Sequence, residues 1–114
     1  MRTEASCHCG AVRLSLSHAP DEVTECNCSL CRRYGVLWAY YEAGDIEGLP
    51  LEGLTDTYAW GRKNVDFHRC AKCGCVVLWA PRAPGRSMHG INARLLPPEI
   101  LSAAALTFKD GASR

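Results

Sequence analysis

At 114 residues the chain has the length of one domain, expected here over 1–114, and a formal charge of +1 from 13 Lys+Arg against 12 Asp+Glu. That balance lacks the basic excess expected of a nucleic-acid binder, and no run of about 18 apolar residues is present to span a bilayer. Eight cysteines in so short a chain leave two ways to staple a small core, disulfides or metal.

Met1 to Ser6 contains no apolar leader, so the expected compartment is the reducing cytosol, where metal is favoured over disulfides. Residues 12–17 alternate apolar and polar side chains, the period of a half-buried strand. Residues 36–41 are aromatic-rich and continuous, a buried strand by composition. Residues 56–60 and 64–68 flank Gly61-Arg62-Lys63 and read as a hairpin. In its second arm Val65 and Phe67 share one face, and Asp66 and His68 the other. Residues 76–79 form a further strand that Pro81 ends, and 86–92 a weaker one. Residues 97–101 start one short helix, with proline in its first turn. No amphipathic run reaches three helical turns. The expected class is all-β, mainly packed sheets stapled by zinc.

Seven of the cysteines fall in three tight groups: Cys7-His8-Cys9-Gly10, Cys26-Asn27-Cys28-Ser29-Leu30-Cys31 and Cys70-Ala71-Lys72-Cys73-Gly74. Thiolates two or three residues apart suit one shared metal better than bridges across a fold, and zinc takes four tetrahedral ligands. The turn in Cys70 to Gly74 brings two sulfurs to one ion, and Gly74 permits the positive φ such a turn needs. Cys7 and Cys9 supply another pair. Joining the two distant half-sites closes a long loop, which favours a structural site of Cys7, Cys9, Cys70 and Cys73.

Cys26, Cys28 and Cys31 can all reach one ion without a distant partner. That leaves a fourth place for water or substrate, and an open zinc can do chemistry. Cys75, His68, His8 or a backbone group would close it, Cys75 being the main candidate because it is otherwise unpaired. The alternative role of Cys75 is a small buried residue at the start of a strand. His8 is expected to point away from its neighbours' metal, and His18 and His89 to be surface or strand residues. Arg69 and Lys72 are expected to offset thiolate charge. Arg32 and Arg33, next to Cys31, either do the same or hold an anion. No paired acids or phosphate loop are present.

The order of the three cysteine motifs, the Arg32 that follows the second, and Ile91-Asn92-Ala93-Arg94-Leu95 resemble the glutathione-dependent formaldehyde-activating enzyme family, which includes centromere protein V. The resemblance implies a β-tent fold with two zinc ions. One zinc is structural, on the first and third motifs. The other is catalytic, on Cys26, Cys28 and Cys31. It implies carbon–sulfur lyase chemistry in which glutathione adds to formaldehyde to give S-(hydroxymethyl)glutathione. Arg32 and Arg33 would then hold a glutathione carboxylate. Tyr34, Trp38 and Trp60 would wall the pocket or belong to the core. Cys75 departs from the family pattern, which more often has a small polar residue there. A second reading is a non-catalytic zinc-stabilised binding module with both zincs structural.

Overall fold

The computed structural model describes residues 2–113. Among them ten strands run in chain order: β1 (Thr3–Ser6), β2 (Arg13–Leu16), β3 (Glu22–Cys26), β4 (Trp38–Glu42), β5 (Ile46–Glu47), β6 (Thr55–Tyr58), β7 (Val65–Cys70), β8 (Val76–Pro81), β9 (Met88–Asn92) and β10 (Ala105–Lys109). The two α-helices are one and a half turns each, α1 (Ser29–Tyr34) and α2 (Pro98–Ala103). The mainly-β class expected from the alternating patterns is the class observed. β1, β2 and β5 make a small sheet, and the order β10-β3-β4-β9-β8-β7-β6 makes a large one. The large sheet is antiparallel except for β10, which runs parallel to β3.

Period-two alternation puts different residues on the two faces of the large sheet. Leu14 and Leu16 of β2 and Ala5 of β1 pack with Ala39, Tyr41, Val77 and Ile91 of the large sheet, forming the main core between the sheets. Burying one such leucine is worth about 1.5–3 kcal/mol. Trp38, adjacent to Ala39 in β4, therefore points to the opposite face. There it joins Cys26, Cys31, Val36 and Phe67, with Leu30, Tyr34, Val65 and Trp79 packed around them. This second face carries the cysteine triad.

The expected strand over 36–41 begins at Trp38, because Val36 and Leu37 bridge from α1, and the Leu37 carbonyl accepts the Ala93 N–H. The hairpin is present, with Tyr58 opposite Phe67. Its first arm stops at Tyr58 because the Lys63 N–H donates to the Trp60 carbonyl and turns the chain early. Met88 opens the strand expected at 86–92. No helix is long and apolar enough to cross a membrane among the described residues.

Candidate metal centres and the adjoining cavity

The sulfurs of Cys7, Cys9, Cys70 and Cys73 all lie within 4.8 Å of one another. Cys7 to Cys9 and Cys9 to Cys70 are each 3.7 Å apart. Zinc–sulfur bonds of about 2.3 Å at tetrahedral angles put ligand sulfurs about 3.8 Å apart, so this donor set fits zinc. The first pair follows β1 of the small sheet, while Cys70 ends β7 and Cys73 lies in the turn before β8. A metal here would pin the two sheets together. The turns hold the sulfurs with backbone donors: Val12 N–H to Cys7 Sγ at 3.3 Å and Lys72 N–H to Cys70 Sγ at 3.4 Å.

Cys26, Cys28 and Cys31 form a second group with sulfurs inside the same 4.8 Å limit. Cys26 ends β3, Cys28 is the N-cap of α1, and Cys31 is buried within that helix. Cys28 Sγ takes the role usually filled by a Ser or Asp oxygen and accepts the Cys31 N–H at 3.3 Å. The Gly35 N–H donates to the Cys31 carbonyl and ends the helix, and Arg94 Nε donates to the Gly35 carbonyl at 2.6 Å. The Trp38 indole N–H donates to Cys31 Sγ at 3.3 Å. Such a donor fixes the sulfur and supports its negative form.

The thiols titrate as crowded groups do. Burial pushes Cys31 up to about 12, despite the Trp38 N–H. Burial also raises Cys28, but donors from Cys31, Cys26 and Leu30 outweigh it and hold Cys28 below its usual range. In the first group the N–H donors of Cys75 and Cys9 bring Cys73 down to about 5. A backbone donor from Ala11 lowers Cys9, but partial desolvation and the neighbouring thiols of Cys7, Cys70 and Cys73 together outweigh it and leave Cys9 at about 11. Sulfurs this close cannot all ionise unless a cation joins them, which is the chemistry of a metal site.

Cys75, the expected candidate to close the triad, does not lie there. Its electrostatic neighbours are His8, Cys73 and Cys7 of the first group, and it packs against the main core. His68 is also elsewhere, with Nδ1 at 2.7 Å from Thr55 Oγ1. Asp66, expected to share its face, pairs with Arg82 at 3.5 Å. His8 is exposed. His89 is a strand residue of β9, one of the two places expected for it, and is buried there with Nδ1 at 2.7 Å from the Ser87 carbonyl. Among the described residues no fourth Cys, His, Asp or Glu joins Cys26, Cys28 and Cys31.

A cavity of about 660 Å³ opens at the triad. Trp38, Tyr40, Trp60, Phe67 and Trp79 wall it, and Arg62, Lys63 and Lys109 also line it, with no acidic side chain among the described residues. Trp38 and Trp60 are thus pocket residues, whereas Tyr34 packs edge-on against Phe67 at 6.0 Å. Arg32 and Arg33 are not in this cavity. Arg33 bonds to the Ser29 carbonyl at 2.8 Å, and Arg32 borders a smaller depression with Asn27, Cys28 and Trp60. The cations that do line the cavity come from the hairpin turn and from the end of β10. Trp79 reaches it because Gly90 lies opposite on β9, where any side chain would occupy the indole's place.

A family profile described as glutathione-dependent formaldehyde-activating enzyme matches residues 2–104. The chain belongs to that family. A relative from Halomonas elongata, provisionally given the same enzyme name, is 34% identical over 96 residues, 74% of this chain. The chain spans 60% of that relative's length. A solved Rhodobacter sphaeroides protein matches with a TM-score of 0.71 at 26% identity, over 91% of this chain and 99% of that one. In this family member the two cysteine groups can each hold a metal ion.

Tyr40, Trp79, Arg62, Lys63 and Lys109 were not assigned to the site from the sequence. The hairpin signal at Gly61-Arg62-Lys63 located the turn, but nothing in it said which face of the sheet the turn overhangs.

Proposed function

We propose that the chain, as a single domain over 1–114, is a zinc-dependent carbon–sulfur lyase that joins a glutathione-type thiol to formaldehyde and reverses that step. The observation that carries this reading is a three-cysteine group facing a cavity, with no fourth side-chain donor among the described residues. Cys7, Cys9, Cys70 and Cys73 would hold a structural zinc, and Cys26, Cys28 and Cys31 a reactive one. Zinc bound by the triad would supply a cation that favours the thiolate form of an incoming thiol.

The chain's own residues bind and orient. Arg62, Lys63 and Lys109 offer charge-assisted hydrogen bonds to thiol carboxylates, the role first expected of Arg32 and Arg33. The aromatic walls give the cavity apolar surface against which the thiol's carbon chain can pack. Tyr40 lines the cavity, and its hydroxyl, protonated at neutral pH as an ordinary tyrosine's is, can donate to the aldehyde oxygen. In the forward direction the thiol sulfur attacks the carbonyl carbon and the C–S bond forms. The carbonyl π pair moves to oxygen, which takes a proton, while the thiol releases one. Atoms and charge balance without a redox partner. The proposed location is the cytosol, a reducing compartment in which thiols stay available to metal.

Exchange spectroscopy on formaldehyde with glutathione tests this. The protein should speed exchange into the adduct, Cys28→Ser should abolish the effect, and Tyr40→Phe should slow it roughly 100-fold. Two bound zincs with no exchange and no thiol binding would instead favour a non-catalytic zinc-stabilised module.

A further inference from the structure

Residues 105–113 lie outside the stretch matched to the family, yet two of them, Lys109 and Gly111, line the cavity. β10 pairs with β3 in a register that ends with Lys109 opposite Cys26. From there the chain is held by Asn27, the residue between two cysteines of the triad. The Asn27 backbone N–H donates to the Lys109 carbonyl at 3.2 Å. Its side chain donates to Asp110 Oδ1 at 3.0 Å and accepts the Ala112 N–H at 2.9 Å. Ser113 Oγ closes the turn on Asp110 Oδ2 at 2.7 Å.

These bonds bring Gly111 against the triad. A Cβ at Gly111 would lie 2.6 Å from Cys26 Sγ and 3.1 Å from Cys28 Cβ, so only glycine fits there without a shift. Lys109 and Gly111 both line the cavity. Lys109 thereby adds a cation from the C-terminal side, separate in the chain from Arg62 and Lys63 of the hairpin.

We propose that residues 105–113 are a wall of the thiol pocket, that Asn27 is the positioning residue holding it, and that Lys109 selects thiols bearing a carboxylate. The selectivity of Lys109 rests on the thiol reading above; the latch that Asn27 forms on residues 105–113 does not. A segment that only extended the sheet would need neither the paired side-chain bonds of Asn27 nor a glycine pressed on Cys26.

The test uses the zinc-loaded protein, glutathione and 2-mercaptoethanol as probes, and native mass spectrometry to confirm equal zinc in every variant. Lys109→Gln should weaken glutathione binding about tenfold, the low end for a charge-assisted contact, and leave 2-mercaptoethanol unchanged. Asn27→Ala should weaken glutathione equally and speed tryptic cleavage after Lys109, since the two side-chain bonds that hold the following residues are lost while the backbone bond to the Lys109 carbonyl remains. Asn27→Asp sets two carboxylates together and should behave like Asn27→Ala. Adding Asp110→Asn reverses the bond and should restore both binding and protection. An unchanged preference between the two thiols in Lys109→Gln overturns the selectivity role. A native cleavage rate in Asn27→Ala overturns the latch. If the unaltered protein binds neither thiol, the thiol reading and the Lys109 role fail together, and the cleavage rates alone decide the latch.

Discussion

Substituting Cys9→Ser together with Cys73→Ser removes one sulfur from each half of the first metal group. Both side chains are at least partly exposed, so little core packing is lost with them. The two remaining sulfurs, Cys7 and Cys70, cannot complete a zinc site, and the cross-link between the sheets goes with the metal. Cys9 and Cys70 are 61 residues apart. The chain-entropy relation for cross-links gives about 4 kcal/mol for a loop of that size, and about 1.6 kcal/mol for a loop of roughly three residues. The smaller loop applies to the triad, where Cys28 and Cys31 are 3 apart. For a domain of this size about 4 °C of melting temperature accompanies each kcal/mol. The double variant should therefore melt about 16 °C lower, and Cys28→Ser about 6 °C lower. Thermal melts followed by circular dichroism, with zinc counted by native mass spectrometry, read this directly. Equal losses, or a larger loss in Cys28→Ser, would refute the division into a stapling site and a local one.

Three further outcomes follow from single contacts. Trp38→Phe keeps an aromatic side chain, though a smaller one, and removes the N–H on Cys31 Sγ, so zinc affinity at the triad should fall about 10–100-fold in competition with a chromophoric chelator, and no change would remove Trp38 from the metal's support. Gly90→Ala drives a methyl into the Trp79 indole and should cost about 1–3 kcal/mol in denaturant unfolding while weakening glutathione binding; native values for both would contradict the packing described. Burial, reinforced by Asp21 and Asp45, pushes Tyr41 up to about 12. Because the folded pKa is the higher, the unfolded chain loses this proton first, and stability falls as pH rises from about 10 to 12. Tyr41→Phe should have a flatter melting-temperature profile over that window, at the expense of the hydrogen bond to the His18 carbonyl; parallel profiles would show that Tyr41 is not the group responsible.

What the sequence revealed depended on whether the signal was local. Leu14 and Leu16 announced β2 by alternation, and the Pro97-Pro98 start announced α2. The helix α1 carried no ordinary start signal, because its cap is a cysteine that also belongs to the triad. β10 was hidden for a different reason. Its Leu106 and Phe108 are 62% and 66% exposed, so backbone pairing to β3, not an apolar face, holds it in place. The cysteine groups were legible because ligand chemistry fixes short spacings. The pocket cations were not, since adjacency in the chain does not decide which way a side chain faces. Arg32 and Arg33 follow Cys31 directly but sit exposed on α1, while Arg62 and Lys63 reach the cavity across a hairpin. Cys75 shows the same lesson, being drawn to the first group by the β7–β8 turn.

The central claim is that the triad of Cys26, Cys28 and Cys31 accepts a thiol from outside the chain. Titrating glutathione into cobalt-loaded protein, and following the sulfur-to-cobalt charge-transfer absorption, tests it most directly. The account predicts a saturable rise, proton release in a weakly buffered solution, and loss of both in Cys28→Ser but not in the Cys9→Ser, Cys73→Ser double variant at a temperature where that variant is folded. A spectrum that glutathione leaves unchanged, in protein carrying both metals, would contradict it.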